Sequence, residues 1–170
     1  TIPLARIVDM LENPGQQFEF NGKSAIYPDV KMTYWTGGNP FSHHQDRNRM
    51  VRAWRKFETV VVQDFQWTAT ARHADIVLPA TTSYERNDIE QYGDYSLKGI
   101  VAMKKVVEPM YEARSDFEIF ADLAERLGDR RAFDEGKSEM EWIRGFYAAA
   151  EEQAQGLGVD LPDFETFWET

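Results

Sequence analysis

Between Thr33 and Asp64 the chain passes from a β-favouring run through a Gly-Gly turn and a basic amphipathic segment to a second β-favouring run ending in an acid. The first run is Lys31 to Thr36, the turn is Gly37-Gly38-Asn39-Pro40, and the second run is Thr59 to Val62, followed by Gln63-Asp64. Arg49 to Phe57 has helical spacing. Met50, Val51, Trp54 and Phe57 share one face, while Arg49, Arg52, Arg55 and Lys56 lie mostly on the other. After a brief helix predicted over Ala69 to Ala74, Asp75-Ile-Val-Leu78-Pro79 reads as a third strand. Strands that alternate with helices need crossovers between parallel neighbours. The pattern therefore predicts an α/β fold, a Rossmann-like three-layer domain with a mainly parallel sheet flanked by helices.

Open parallel sheets hold ligands at the carboxyl ends of their strands. Gly37 and Gly38 fall at such an end, where a bare backbone lets N–H groups approach a phosphate. His43, Arg47 and Arg49 follow at once, and cationic donors favour an anion there. Asp64 ends the second strand about 25 residues after the turn, near the spacing at which an acid takes a ribose hydroxyl pair. The glycine pattern is not GxGxxG, so two readings stay open for each feature. The turn is either a plain reversal or a phosphate cradle, and Asp64 is either a cap or a ribose acceptor.

The charge of −10 argues against nucleic acid or an anionic membrane as main partner. It is unevenly spread, because Phe41 to Val60 is locally basic and Asp129 to Thr170 strongly acidic. An anionic ligand is thus expected beside the basic stretch. With no cysteine, the chain offers no disulfide, thiolate–zinc site or cysteine-ligated iron–sulfur cluster. No run approaches the ~20 apolar residues of a membrane span, and no signal peptide is visible. Thr1 is not an initiator methionine, so the expectation is a processed chain or a piece of a longer one.

Residues 1–170 read as one domain with three parts. In 1–30, Ile2 to Leu11 is a short helix with Leu4, Ile7, Val8 and Leu11 on one face, and Asn21-Gly22 marks a tight hairpin between Phe18-Glu-Phe20 and Ser24 to Tyr27. In the core, 31–128, Thr81 to Ser96 is a polar loop and Gly99 to Val107 a further strand. Ser115-Asp-Phe-Glu118 is a capping box opening a helix that buries Phe117, Phe120, Ala121, Ala124 and Leu127 and stops at Gly128. In the acidic helical extension, 129–170, Ser138-Glu-Met-Glu141 opens another, burying Trp142, Ile143, Phe146, Tyr147 and Ala150.

Other constellations have plain readings. His43-His44, placed on an extended segment, would point apart, so hydrogen bonding is preferred to metal binding. His73 and Asp75 offer a His–Asp pair, but no nucleophile motif such as GxSxG accompanies it. Tyr84 to Asp88 is a solvated cluster or a ligand clamp, and Asp116 is explained by dipole compensation alone.

Three strings, Trp35-Thr-Gly-Gly-Asn-Pro-Phe-Ser-His-His-Gln-Asp-Arg-Asn-Arg49, Gln63 to Asp88 and Tyr111-Glu-Ala-Arg-Ser-Asp116, closely resemble the DMSO/TMAO reductase family of molybdopterin oxidoreductases. The resemblance covers most of the chain and is loosest before Lys31 and after Asp129. It implies a bis(molybdopterin guanine dinucleotide) molybdenum cofactor and a chain that is one piece of a longer enzyme. The serine that holds molybdenum in this branch has no counterpart here, so no residue of the chain is expected to be catalytic or a metal ligand. By the same resemblance, Asn39 and His43 meet the phosphate or pterin part of one dinucleotide, with Gly37 and Gly38 allowing backbone approach. Gln63 and Asp64 lie at its ribose and guanosine end, Arg86 makes a charge-assisted bond, and Asp116 accepts from guanine N1–H and the exocyclic amine.

The implied reaction is two-electron reduction of an S- or N-oxide, dimethyl sulfoxide or trimethylamine N-oxide, by oxygen-atom transfer. The implied partners are the remainder of the same polypeptide and a cytochrome or quinol-linked electron donor, in the periplasm. Two other classes stand against this expectation. One is a free-standing nucleotide-binding or regulatory module, the other a cofactor-free interaction partner of such enzymes.

Overall fold

Asn21 and Gly22 both adopt positive φ, +51° and +71°. This is the geometry of a tight two-residue hairpin turn, for which Asn-Gly is the favoured pair. It joins β1 (Gln17–Phe20) to β2 (Lys23–Ile26) in antiparallel register, Phe20 opposite Lys23. Phe18 stacks on Tyr27 with ring centroids 4.3 Å apart, and both are buried. The structure, a computed structural model, describes residues 2–93, 95 and 98–169. They fall into two units, 1–79 and 80–170.

In the first unit the predicted N-terminal helix begins as a 3-10 turn, Leu4–Arg6, and becomes α1 at Ile7–Glu12. Val8 and Leu11 turn inward together with Met10, whereas Leu4 is exposed. The three predicted strands are present as β3 (Met32–Thr36), β4 (Thr59–Asp64) and β5 (Ile76–Pro79). They form a parallel sheet in the order β3-β4-β5. The central β4 carries Val60, Val61, Val62 and Gln63 buried, the continuous run expected of a strand covered on both faces.

Two helices fill the crossover from β3 to β4. A four-residue α2 (Pro40–His43) precedes α3 (Arg47–Trp54), which starts earlier and ends sooner than the apolar spacing predicts. Asp46, at φ +49°, caps α3 by accepting from the Arg49 N–H at 3.1 Å. Trp54 anchors the core. Its ring meets Phe41 and Phe57 edge-on at 5.0 and 5.2 Å, and its Nε1 donates to the His73 carbonyl at 3.1 Å.

In the second unit, Thr81 to Ser96 is not a continuous loop. Asp88–Tyr92 forms β6, antiparallel to β7 (Gly99–Met103), while Asp94 and Ser96 lie outside the described residues. A two-stranded ribbon with polar, largely exposed positions has no apolar alternation to betray it. The strand predicted over Gly99 to Val107 thus ends at Met103 and belongs to this ribbon, apart from the parallel sheet.

Both predicted capping boxes are closed, Ser115 with Glu118 and Ser138 with Glu141. They open α4 (Asp116–Arg126) and α6 (Glu139–Gly156), between which α5 (Arg130–Asp134) intervenes; α7 (Phe164–Glu169) follows. Ile119, Ala121, Ile143 and Tyr147 are buried. Leu127 at 80% and Phe146 at 55% exposure are not, contrary to the helical spacing. Spacing determines which residues share a face, not what covers it. Among the described residues no helix is long and apolar enough to cross a membrane.

Candidate functional site

The register of the parallel sheet sets Thr36, Gln63 and Leu78 side by side at one level, with Asp64 opposite Pro79 one step further on. The Gly-Gly turn and Asp64 therefore leave the same, carboxyl, edge of the sheet. Gly37 and Gly38 take φ of +66° and +76°, which favour glycine. A Cβ at Gly37 would meet nothing within 4 Å, and one at Gly38 would lie 3.5 Å from Trp35 Nε1. That indole N–H is buried without a protein partner among the described residues. A buried donor beside an open glycine backbone suits a ligand rich in acceptors.

Asn39 precedes Pro40 at the start of α2, but its side chain makes no capping bond to that helix. Instead its Oδ1 accepts from the hydroxyl of Thr70 at 2.6 Å. His43 is exposed at the end of α2, while His44 continues in extended conformation, so the two are not on one extended segment. Burial, reinforced by His43, lowers the pKa of His44, and its Nε2 is buried without a partner among the described residues. Both histidines line a cavity of about 340 Å³ with Asp46, Arg49 and the first helical turns of the chain.

Arg49 is not an uncommitted cation awaiting an anion. It bonds Asp9 at 2.5 Å and Glu12 at 2.6 and 2.8 Å, pairs that raise its pKa and tie α3 to α1. Sequence spacing placed it outward because its acidic partners lie 37 and 40 positions upstream.

Gln63 is 2% exposed and its Oε1 accepts from the Tyr34 hydroxyl at 2.7 Å. Asp64 accepts from Gln66 N–H at 3.1 Å and from the Thr68 hydroxyl at 3.2 Å, so it does hold its own turn. A carboxylate has about four acceptor positions, so this leaves capacity for ligand hydroxyls. His73 bonds the Ala69 carbonyl at 2.7 Å and stacks on Phe41, while Asp75 accepts from Val60 N–H at 2.7 Å. The His–Asp pair suggested by sequence is thus engaged in holding loops.

In the second unit, Arg86 and Asp116 line one cavity of about 350 Å³, with Asn87, Asp88, Glu139 and the aromatic side chains Phe117, Phe133, Trp142 and Phe146. Arg86 is steadied by the Thr81 carbonyl at 2.8 Å and by Asp88 at 3.2 Å. Its neighbour Glu85 is buried, accepting from Thr82 N–H and hydroxyl at 2.8 Å each and from Met110 N–H at 2.9 Å. These bonds hold the Glu85 carboxyl below the usual carboxylate range. The segment Glu85 to Asp88 is therefore ordered and partly buried, while Tyr84 stands exposed.

Burial pushes the Glu139 carboxyl up, the Ser115 hydroxyl and Arg86 pulling it down and Glu118 and Asp88 adding to the rise. Sequence reasoning missed Glu139, Trp142 as a cavity wall, and Thr70, because what each of them faces is set only by the fold. A flat aromatic ligand with hydrogen-bonding edges suits such a cavity, whose walls offer rings for stacking and carboxyl groups for donors.

The sequence profile of the molybdopterin oxidoreductases matches residues 10–126. The chain belongs to that family. Membership implies a molybdenum–pterin cofactor; in the first unit the glycine turn and the buried indole donor suit acceptor-rich groups, and in the second the Arg86 cavity combines one cation with carboxyl groups and aromatic walls. The chain is 69% identical over 168 residues to the dimethyl sulfoxide/trimethylamine N-oxide reductase of Cereibacter sphaeroides, covering 99% of this chain and 20% of the relative. It is 68% identical over 167 residues to the like-named protein of Rhodobacter capsulatus, covering 98% and 20%. To the trimethylamine-N-oxide reductase of Haemophilus influenzae it is 52% identical over 166 residues, again 98% and 20%. The chain thus spans about one fifth of the length of these relatives. The resemblance to the DMSO/TMAO reductases seen in the three strings extends over nearly the whole chain.

Proposed function

We propose that this chain holds one guanine dinucleotide arm of a bis(molybdopterin guanine dinucleotide) molybdenum cofactor, acting as one cofactor-binding domain of a reductase of S- or N-oxides. The observation that carries the reading is the shared carboxyl edge of the parallel sheet. There an open Gly-Gly turn, Asn39 and Asp64 stand together, in a chain 69% identical to a dimethyl sulfoxide/trimethylamine N-oxide reductase.

In this reading Gly37 and Gly38 admit the ligand close to backbone, and Asn39 and His43 donate to its phosphate or pterin oxygens. Asp64 accepts from ribose hydroxyls, and Gln63, locked by Tyr34, shapes the floor beneath them. Arg86, held by Thr81 and Asp88, gives a charge-assisted bond to an anionic oxygen. Asp116 accepts from guanine N1–H and the exocyclic amine, which a carboxylate suits geometrically.

The bound molybdenum supplies the two-electron chemistry that takes an oxygen atom from dimethyl sulfoxide or trimethylamine N-oxide. Residues of this chain bind and orient the cofactor and touch no reacting atom, so none is catalytic. The remainder of a longer polypeptide, a cytochrome or quinol-linked electron donor and a periplasmic location complete the proposal.

Replacing Asp116 by Asn in the intact protein tests the assignment. Molybdenum and guanine content per polypeptide are expected to fall together while the fold, followed by circular dichroism, persists. Unchanged content would count strongly against the site. An intact protein that binds guanine nucleotides but never carries molybdenum would favour a free-standing nucleotide module.

A further inference from the structure

Resting on the reading of Asn39 as a donor to the ligand, we propose that Thr70 is its positioning residue. The buried Thr70 hydroxyl fixes the Asn39 amide so that its N–H groups, and not its oxygen, face the cofactor.

Thr70 is 0% exposed and lies in the segment between β4 and β5. Its Oγ1 is 2.6 Å from Asn39 Oδ1 and 3.5 Å from the backbone N of Phe41. A hydroxyl has one proton and two lone pairs. The separation to Asn39 falls in the range of O–H···O bonds, short of the usual N–H···O range, while the Phe41 N–H faces the same oxygen from 3.5 Å, beyond the usual bond. The proton therefore goes to the amide oxygen. Since the Asn side chain is planar, anchoring Oδ1 at Thr70 sends Nδ2 to the opposite side.

The absence of a capping bond at Asn39 points the same way. Asn at the start of a helix ordinarily accepts from the first-turn N–H groups. Here it does not: the Ser42 and His43 N–H groups bond the Asn39 backbone carbonyl, the Phe41 N–H faces Thr70 Oγ1 at 3.5 Å, and the side-chain oxygen accepts from Thr70. The amide is thereby withdrawn from a local structural task and presented as a donor. A flipped amide would aim oxygen lone pairs at the phosphate or pterin oxygens and turn attraction into repulsion.

The test uses the cofactor-free intact protein and guanosine 5′-diphosphate as probe, with affinity read by calorimetry and folding by thermal unfolding. Thr70→Val keeps the shape and removes the hydroxyl. It is expected to weaken binding about tenfold, the loss of one well-aimed bond to an anion. Thr70→Ser restores the hydroxyl and is expected to restore affinity. Asn39→Ala is expected to weaken binding to a similar extent, and adding Thr70→Val to it should change affinity no further.

Unaltered affinity in Thr70→Val, failure of Thr70→Ser to restore it, or an equal loss from Thr70→Val in the Asn39→Ala background would each overturn the positioning role. Unaltered affinity in Asn39→Ala would instead overturn the reading of Asn39 as a donor to the phosphate of the cofactor, on which it rests.

Discussion

In residues 1–79 the large aromatic side chains of the core lie inside, with Phe18, Tyr27, Phe41 and Trp54 all under 8% exposed. In residues 80–170 Tyr147 is the one aromatic side chain buried as deeply among the described residues, and others stand at the surface, as Phe65 and Trp67 do outside the core of the first unit. Tyr84 is 68% and Phe133 41% exposed, alongside Leu127 and Phe146. The contrast has a physical origin. A parallel sheet with crossover helices gives each apolar run a partner face within some 30 residues of chain. A two-stranded ribbon beside helices offers fewer faces, so beyond Ile119, Ala121, Ile143 and Tyr147 many apolar positions in the second unit line a cavity or meet solvent. The first unit is thus held by its core, whereas the second is held largely by polar staples. Among these are two capping boxes, the buried Glu85, and Arg114 and Arg130, which both pair with Asp122.

The sharpest way to break this comparison is Trp54→Ala. Removing a fully packed indole is expected to cost about 3–5 kcal/mol in equilibrium unfolding. A loss below ~1 kcal/mol would mean that the first unit is not core-held.

Glu85→Gln comes next, with a smaller fall in stability. Because its bonds depress the folded pKa of Glu85, this stabilisation is present above the unfolded carboxylate pKa and is lost as pH falls through the folded value. The variant is therefore expected to lose part of the acid limb of the stability–pH curve, while remaining less stable at neutral pH. A variant as pH-sensitive as the parent would remove Glu85 from the list of staples.

The smallest effect is expected from Phe146→Ser. An exposed side chain should change unfolding by no more than about 0.5 kcal/mol. A loss of several times that would show that the second unit relies on its apolar faces after all.

How far the fold was legible in sequence follows from the range of the interactions involved. Asn21-Gly22 and the two capping boxes are local, each satisfied within four residues, and each is found as predicted. The parallel sheet was legible because Val60 to Val62 is an uninterrupted β-branched run. The pairing of Arg49 with Asp9 and Glu12, the β6–β7 ribbon and the Thr70 bond to Asn39 were not legible. Each joins positions whose neighbourhood exists only after folding.

The candidate site divides in the same manner. Its glycines and acids lie at strand and helix ends, where sequence marks them. The side chains that hold Asn39, Gln63 and Arg86 in place, namely Thr70, Tyr34 and Asp88, have partners that sequence patterns do not reveal.

The central claim is that the chain reads a guanine base through Asp116. Its most direct test is the ratio of affinities for guanosine and adenosine 5′-diphosphate, measured on the cofactor-free intact protein with and without Asp116→Ala. Adenine has no proton on N1 and no amine at C2, so it cannot offer a carboxylate the adjacent pair of donors that guanine does. The account predicts a preference for the guanine nucleotide of about tenfold or more, collapsing to near unity in the variant. A preference that survives the substitution, or no preference in the parent protein, would contradict it.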